Sequence, residues 1–473
     1  MTGDIRPASD RPVIISLSDD IEVSPGLIEY CQTRYAREWK RYDRLEQYYM
    51  TENAIAGRVL GDNTKPNNRI AHAFARYITC IATAYFLGNG IKIECEDPEY
   101  QTLLEDHYKS CMSDVKHYEE AKSMSKCGKS YELLYYDKDG KPRTAAIEPG
   151  SIIPIYGQDT DRFLTAAIRI YETKTLVGST ERTIWHADVY TYDRVFSYEK
   201  RGGFISKWRY VSERNHGFSD VPIIVRWNNT DQKGDYEDVL PQIDAYDRAQ
   251  SDTANDLDYF TDAYLAVTGA EEIVTEESEG DGSMDHAKSI RTMKQERVLL
   301  LPDGGDVKFV TKNIADTPTE NYKNRIYRDL FFLALVPNLT DESFAGNLSG
   351  VAMKYKLFGI EELAAEKEKY FTSSETKKIR LITEYLNAQH GTAYDWRTVK
   401  LSFDRSNIAN LLEVSQIINN LRGMLSDETL IGMWPEVKDA AEELKKRVDE
   451  KASAENDIFP GNIEAMLSDG TRQ

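Results

Sequence analysis

With 473 residues and 54.1 kDa, the chain exceeds what one typical hydrophobic core organises, so two or more domains are expected, and a hydrophobic content of 41% is ample for folding them. Against 59 Lys and Arg stand 79 Asp and Glu, a formal net charge of −20 and a sequence pI near 5.0, which argues against a protein that grips DNA by neutralising phosphates, since that needs clustered cations. No N-terminal signal peptide is read, and no apolar run is long enough to span a bilayer, so no membrane contact is expected.

Residues 1–24 are polar apart from a β-like run at 13–17, and read as an arm that is either mobile or laid on a neighbour. The pattern predicts a helix over 26–49 and a second over 68–86 whose buried face is Ile70, Phe74, Tyr77, Ile78 and Ile81. Strand signals then dominate, at 130–136, 144–147, 152–156, 165–171, 182–192, 194–198 and 221–227, which makes this a mixed α+β domain. Aromatic residues alternate through it (Tyr190, Tyr192, Phe196, Tyr198) and suit half-buried sheet faces better than a base-stacking platform.

Several motifs in this part invite chemistry and do not sustain it. Cys31, Cys80, Cys95, Cys111 and Cys127 are odd in number and form no CxxC pair, so they read as reduced thiols in a cytoplasmic setting. His107 and Cys111 are helically spaced, with His117 and Cys127 beyond, but zinc clusters use tighter paired ligands, and no metal or cofactor is expected. Residues 127–130 (CGKS) mimic the end of a phosphate-binding loop, yet Ser123 stands where the leading glycine belongs and a strand follows instead of a helix. The stretch 136–142 (YDKDGKP) lacks the carboxylates of a calcium loop and reads as a hairpin turn.

From Tyr236 the pattern becomes helical again. Tyr236, Leu240, Ile243, Tyr246, Ala249, Ala254, Leu257, Phe260 and Tyr264 form an apolar stripe spaced mostly by three or four residues. Around it lie Asp238, Asp244, Asp247, Asp252, Asp256, Asp258 and Asp262, offset only by Arg248; the plain reading is a solvated polar face. An acidic loop over 271–282 and a predicted β-hairpin over 297–312, reversed by Asp303, Gly304 and Gly305, form an insert. A short return helix follows, with Thr317 or Thr319 as N-cap, Pro318 in its first turn and Pro337 as its stop. A small-residue loop (338–350, NLTDESFAGNLSG) leads into a long helix over 351–388 with Leu357, Ile360, Leu363, Phe371, Ile379, Ile382 and Leu386 as candidate buried positions and Ser373 and Ser374 as a possible bend. A strand at 399–404, a helix over 406–421, a segment capped by Ser426 and a charged helix over 436–450 complete the chain before a polar, frayed end. Helical tracts this elongated do not bury themselves in one subunit, which points to assembly.

The order helix, β insert, helix, loop, long helix resembles the portal proteins of tailed bacteriophages, in particular the siphophage type from phages of Gram-positive hosts. The resemblance is carried by 222–229 (PIIVRWNN), the polar linker with Gly234 and Asp235, 243–246 (IDAY), 348–354 (LSGVAMK) and 67–94, and spans most of the chain from about Tyr30 to Glu450. It implies an α+β portal fold: an N-terminal arm (1–25), a wing (26–235), a stem helix (236–268), a small α/β clip (269–316), a second stem helix (317–336), a tunnel loop (337–350), a long wing helix with its returning strand (351–404), a helical crown (405–452) and a flexible tail (453–473).

The resemblance further implies a non-enzymatic subunit of a ring, usually a dodecamer, at one capsid vertex of the virion. Double-stranded DNA passes through it during packaging and ejection; its partners are a terminase motor, a head-tail connector, and the major capsid and scaffolding proteins, with assembly in the bacterial host cytoplasm. In that frame Asp341, Glu342, Ser343, Phe344, Asn347 and Leu348 face DNA, with Lys354 and Lys356 as the nearest cations. Asp244, Asp247, Asp252, Asp256, Asp258 and Asp262 line the channel, and the clip docks a connector through Glu271, Glu272, Glu276, Glu277 and Arg297. Twelve copies would gather about −240 of formal charge, and an acidic lining keeps a polyanion from sticking, within a screening length of ~8 Å. The alternative for those carboxylates is pairing with lysines or arginines of a neighbouring subunit. Two other functions stay open on sequence alone: another head-completion or minor capsid protein, and a DNA-processing metal nuclease, although none of the 79 acidic residues shows a distinguishing spacing.

Overall fold

A computed structural model describes residues 12–18, 21–61, 65–161, 163–177, 180–202, 206–261, 265–268, 298–301, 316–340, 350–405, 411–434, 437 and 440–458. The first strand, β1 (Ile15–Ser16), precedes helix α1 (Pro25–Tyr49), whose start is fixed by Ser24 accepting from the Leu27 N–H at 3.3 Å and by Pro25 in the first turn. Helices α2 (Phe74–Leu87), α3 (Pro98–Ser110) and α4 (Ser113–Cys127) follow, with β2 (Ile91–Glu94) between the first two. Asp97 caps α3 by accepting from the N–H groups of Glu99 and Tyr100.

Two sheets build the centre of this region. Strands β3 (Lys129–Tyr136), β4 (Pro142–Ile147) and β10 (Ile223–Trp227) form an antiparallel sheet in the order β10-β3-β4. Strands β5 (Ile152–Tyr156), β6 (Leu164–Val177), β7 (Thr180–Tyr190), β8 (Arg194–Arg201) and β9 (Arg209–Asn215) form the larger sheet in the order β1-β5-β6-β7-β8-β9, antiparallel except where β1 lies parallel to β5. Helix α1 covers it, burying Ile28, Cys31, Tyr35 and Tyr42 against Ile153, Ile155, Ile168 and Val189. Thus residues 13–17 are not laid on a neighbour: Ile15 pairs with Ile155, and the Val13 N–H donates to Glu38 at 2.9 Å within the same chain.

The helical part begins at α5 (Leu240–Thr261), followed by β11 (Leu265–Thr268), β12 (Val298–Leu301), α6 (Asp316–Leu333), α7 (Gly350–His390) and β13 (Lys400–Phe403), which pairs back on β2. A second core joins the end of α1 and α2 to α5 and α6 through Leu45, Phe74, Ile78, Leu240, Ile243 and Leu330. A third seats the end of α7 on the smaller sheet and α3, through Tyr100, Leu104, Leu134, Ile224, Ile379 and Ile382. At ~1.5 Å per residue the 41-residue α7 is about 62 Å long. It is continuous through Ser373 and Ser374, and the Ser374 hydroxyl donates to the Phe371 carbonyl at 2.8 Å inside the helix. Helices α8 (Leu411–Leu421), α9 (Asp427–Gly432, capped by Ser426) and α10 (Ala440–Ile458) close the described chain.

Three further expectations are corrected. The helix expected from residue 68 begins only at Phe74, and Ile70 is exposed ahead of it. The helix expected to run to 268 stops at Thr261, and 265–268 is a strand instead. Its partner, β12, lies parallel to it, with Leu265 opposite Val298, where the sequence predicted the first arm of a hairpin; the second arm lies outside the described residues.

Candidate functional site

One face of α5 is a polar ladder, and the reason helix α2 starts late lies there. Residues 68–72 run extended along α5 and are bound by side chains of that helix at successive turns. Asn255 Oδ1 accepts from the Asn68 N–H at 2.6 Å, Ser251 Oγ from the Ile70 N–H at 3.0 Å, and Asp247 Oδ1 from the His72 N–H at 3.0 Å. The spacing follows from geometry: four residues of helix rise ~6 Å, and two residues of extended chain ~6.6 Å, so every second N–H meets the next helical turn. Asp247 also meets His72 Nδ1 at 2.7 Å and accepts from Asn53 Nδ2 at 2.5 Å, and its carboxylate is fully buried.

The acidic row predicted along this helix therefore divides. Asp247 cannot line an opening, because it is enclosed by His72 and Asn53 of its own chain. Asp244 is half-buried, accepts from the Tyr48 hydroxyl at 2.7 Å, and has its pKa raised chiefly by burial. Asp252 and Asp258 keep exposed surface while engaging Arg58 at 2.6 Å and Asn68 Nδ2 at 2.6 Å. Asp256 is partly exposed, and Asp262 lies outside the described residues. Replacing Asp247 by alanine is expected to destabilise the protein by about 2–3 kcal/mol, since three buried or half-buried donors lose their acceptor. The denaturation midpoint measures it, and faster proteolysis within 65–73 locates it.

Beside the ladder lies a junction with uncovered apolar side chains. Leu330, Phe331, Ala334 and Val336 of α6 and the turn after it are buried against α5. Their neighbours Phe332 (77% exposed), Leu333, Leu335 and Leu339 are not. Helix α7 starts against this turn: Leu335, in a left-handed conformation at φ 57°, brings its carbonyl within 3.2 Å of where a Cβ on Gly359 would stand. Val351, Tyr355 (80% exposed) and Phe358 share one face of that first stretch of α7, at helical spacing. A cleft of 760 Å³ opens beside the junction, lined by Leu333, Leu335, Lys233, Asp238, Glu362 and Tyr370. Lys354 is exposed on the first turns of α7 and Lys356 is partly buried. The loop residues Asp341, Glu342, Ser343, Phe344, Asn347 and Leu348, and the insert residues Glu271, Glu272, Glu276, Glu277 and Arg297, lie outside the described residues.

The linker 228–237 joins these parts. Asn228 Nδ2 donates to Asp235 Oδ1 at 2.7 Å, and Lys367 of α7 reaches both Asn228 Oδ1 and Asp235 Oδ2 at 2.6 Å. Arg41 of α1 donates to both oxygens of Glu237, at 2.7 and 2.6 Å, and to the Gln232 carbonyl at 3.0 Å. Burial opposes the charge on Lys367 and lowers its pKa, although Asp235 resists. Sequence reasoning missed these roles; the signal was a set of polar residues in a segment too short to form an element. Among the described residues no group of three His, Cys, Asp or Glu could hold a metal ion: Cys111 Sγ and His107 Nε2 are 3.7 Å apart, but His117 belongs to a buried ion cluster. No described helix is long and apolar enough to cross a membrane.

A family model described as phage portal protein, SPP1 Gp6-like, matches residues 28–457. The portal protein of Bacillus phage SPP1 is 25% identical over 429 residues, covering 85% of this chain and 81% of that protein. The portal protein of Clostridium phage phiCD119 is 23% identical over 342 residues, covering 69% of this chain and 72% of the relative.

Proposed function

From the premise that this chain belongs to the SPP1 Gp6-like family of phage portal proteins, a structural and non-enzymatic family, we propose that it closes into a ring at one vertex of the capsid and conducts double-stranded DNA through the hole. The observation that carries this reading is the apolar junction between α6 and α7. Phe332, Leu333, Tyr355 and Phe358 are large apolar side chains left exposed on the two helices that meet at this turn, and exposed apolar surface of this kind supports an association surface. A ring of identical subunits covers such a patch by placing it against the next copy, and each copy repeats the contact until the ring closes.

Within that ring α5 and α6 serve as the stem, and 337–350 as the loop nearest the DNA. Among the described residues Asp252, which pairs with Arg58, Asp256 and Asp258 are the stem carboxylates that keep exposed surface to face the polyanion, since Asp247 is enclosed and Asp244 half-buried. The loop contains Asp341 and Glu342 and no lysine or arginine, so DNA slides past it rather than being held. The insert 269–316 meets the head-tail connector, and a separate ATPase motor drives packaging. The assembled particle carries the ring, built in the host cytoplasm with the help of scaffolding and capsid proteins. The nuclease alternative falls with the family assignment.

Electron microscopy of the purified protein tests the assembly. Closed rings with an axial hole are expected, and the Tyr355→Glu, Phe358→Glu double variant is expected to lose them while keeping its helical circular dichroism, because both side chains lie outside the subunit's own core. A wild-type protein that stays monomeric at high concentration, or a double variant that still forms rings, counts against this interface.

A further inference from the structure

A cluster of six ionisable side chains is sealed inside the wing, where α4, β3, β10 and α7 meet. It comprises Arg226, Lys378, Glu120, Glu132, Glu375 and His117, none more than 2% exposed. Arg226 Nη2 donates to Glu132 at 2.8 Å and to Glu375 at 2.5 Å, while its guanidinium stacks over the Phe371 ring. Lys378 Nζ lies 3.0 Å from Glu132 and 3.3 Å from Glu375, and Glu375 also accepts from the Tyr108 hydroxyl at 2.6 Å. Glu132 and Glu375 are thus each held by both cations.

Glu120 is the carboxyl left over. Its one ionic neighbour is Arg226 Nη1 at 3.2 Å, and neither of its oxygens makes a hydrogen bond. His117 does not supply the missing charge: its Nε2 stands 3.1 Å from Lys378 Nζ and 3.3 Å from Glu375, and burial beside the Lys378 ammonium lowers its pKa, which favours the neutral ring. Two cations and two carboxylates balance, and a third carboxylate would be an unmatched charge in a dry interior, where desolvation strongly favours the neutral acid.

We propose that Glu120 carries a proton in neutral solution and that this proton is a latch, whose loss at alkaline pH loosens α7 from the wing sheet. The charged groups around it are Arg226 from β10, Glu132 from β3, and Glu375 and Lys378 from α7; Tyr108 of α3 reaches Glu375 and Lys378, His107 lies beside Tyr108, and His117 of α4 itself lies beside Lys378 and Glu375. Helix α2 buries no charged side chain against α4, and α1 and β4 meet α4 through Lys122 and Lys126 with Tyr49 and Glu46, and through Lys116 with Thr144. Burial raises Glu120 to about 8, with Arg226 opposing, while Lys378 and Arg226 overcome burial to hold Glu132 at about 2. The sign follows: a carboxyl raised in the folded state stabilises it fully below the ordinary value of 4.5, and that contribution is lost as pH rises through about 8.

The consequence reaches the proposed channel, because Glu375 and Lys378 sit on the same continuous helix whose first turns follow the loop at 337–350. Hydrogen exchange of the full-length protein tests the latch, with peptides covering 113–127 and 371–383 followed at pH 6 and pH 9 and corrected for intrinsic base-catalysed exchange. Wild-type protection is expected to fall about a hundredfold between the two, as the opened state releases the proton that the closed state keeps. The Glu120→Gln variant, which mimics the protonated acid, is expected to change only a few-fold. Parallel loss in both proteins overturns the proposal. Should the variant not fold, infrared difference spectra of the wild type between pH 6 and pH 9 decide: loss of a buried carboxylic-acid carbonyl band supports the latch, and absence of that band at pH 6 refutes it.

Discussion

Arg226→Ala is expected to destabilise the protein by about 3–5 kcal/mol, the range found when one partner is removed from a buried ion pair and the other is left uncompensated. Two carboxylates, Glu132 and Glu375, lose their strongest donor, and Glu120 loses its one cationic neighbour. Lys378 alone then faces three carboxyls, so the cluster must take up protons to stay near neutrality. Two consequences separate this from a simple cavity. The loss should be smaller at pH 5 than at pH 8, because protonation relieves the unmatched charge, and Arg226→Lys should not fully restore it, since an ammonium lacks the second nitrogen that faces Glu120 and the flat face that stacks on Phe371. Denaturant melts of the two variants at both pH values check this; equal losses at pH 5 and pH 8 would mean that packing against Phe371, not charge, sets the cost.

The cluster also shows where the sequence stops being informative. Helix α1, the strands from β3 to β8, and the long α7 were legible because their apolar spacing is local: Ile28, Tyr35 and Tyr42 recur on one helical face, and β5 is a short run buried at every position. The α+β class followed from those elements. The start of α2 was not legible, because Ile70 continues the helical spacing of Phe74 and Ile78, yet the N–H groups of residues 68–72 are captured by Ser251, Asn255 and Asp247, far along the chain. Parallel pairing of β11 with β12 was hidden for the same reason: Asp303, Gly304 and Gly305 advertise a local reversal, while the partner of Val298 is Leu265.

The candidate site was half legible. An acidic face on α5 is plain in the sequence, but which carboxylates are enclosed depends on His72, Asn53 and Tyr48, and no pattern within α5 distinguishes Asp247 from Asp252. One signal was present and unread. Arg226 stands inside PIIVRWNN and Glu132 inside SYELLYY, and a charge embedded in an apolar strand either faces solvent or needs a buried partner of opposite sign. Both strands belong to one sheet, covered on that face by α7, so the two charges meet.

Gly128→Ala is expected to cost about 2–5 kcal/mol, the sum of about 1–2 kcal/mol for a left-handed alanine and about 1–3 kcal/mol for forcing atoms into a packed site. Gly128 ends α4 at φ 80°, and a Cβ there would stand 2.0 Å from the Gln232 carbonyl oxygen and 2.4 Å from its carbon. Those are backbone atoms, so no side-chain rotation relieves the clash. The approach is mutual: a Cβ on Gly234 would meet the Lys126 carbonyl oxygen at 2.2 Å, and the Asp235 N–H donates to the Ser125 carbonyl at 2.8 Å. The end of α4 and the linker into α5 are therefore in backbone contact, and displacing the linker also pulls Asp235 from Lys367 of α7 and Glu237 from Arg41 of α1. Gly140→Ala is the control, since Gly140 has φ 73° but nothing within 4 Å of its Cβ, and it should lose only about 1–2 kcal/mol. Thermal melts and soluble yield of the two variants compare them directly. If Gly128→Ala melts alongside Gly140→Ala, the linker yields freely, and a rigid link between α4 and the proposed stem has to be given up.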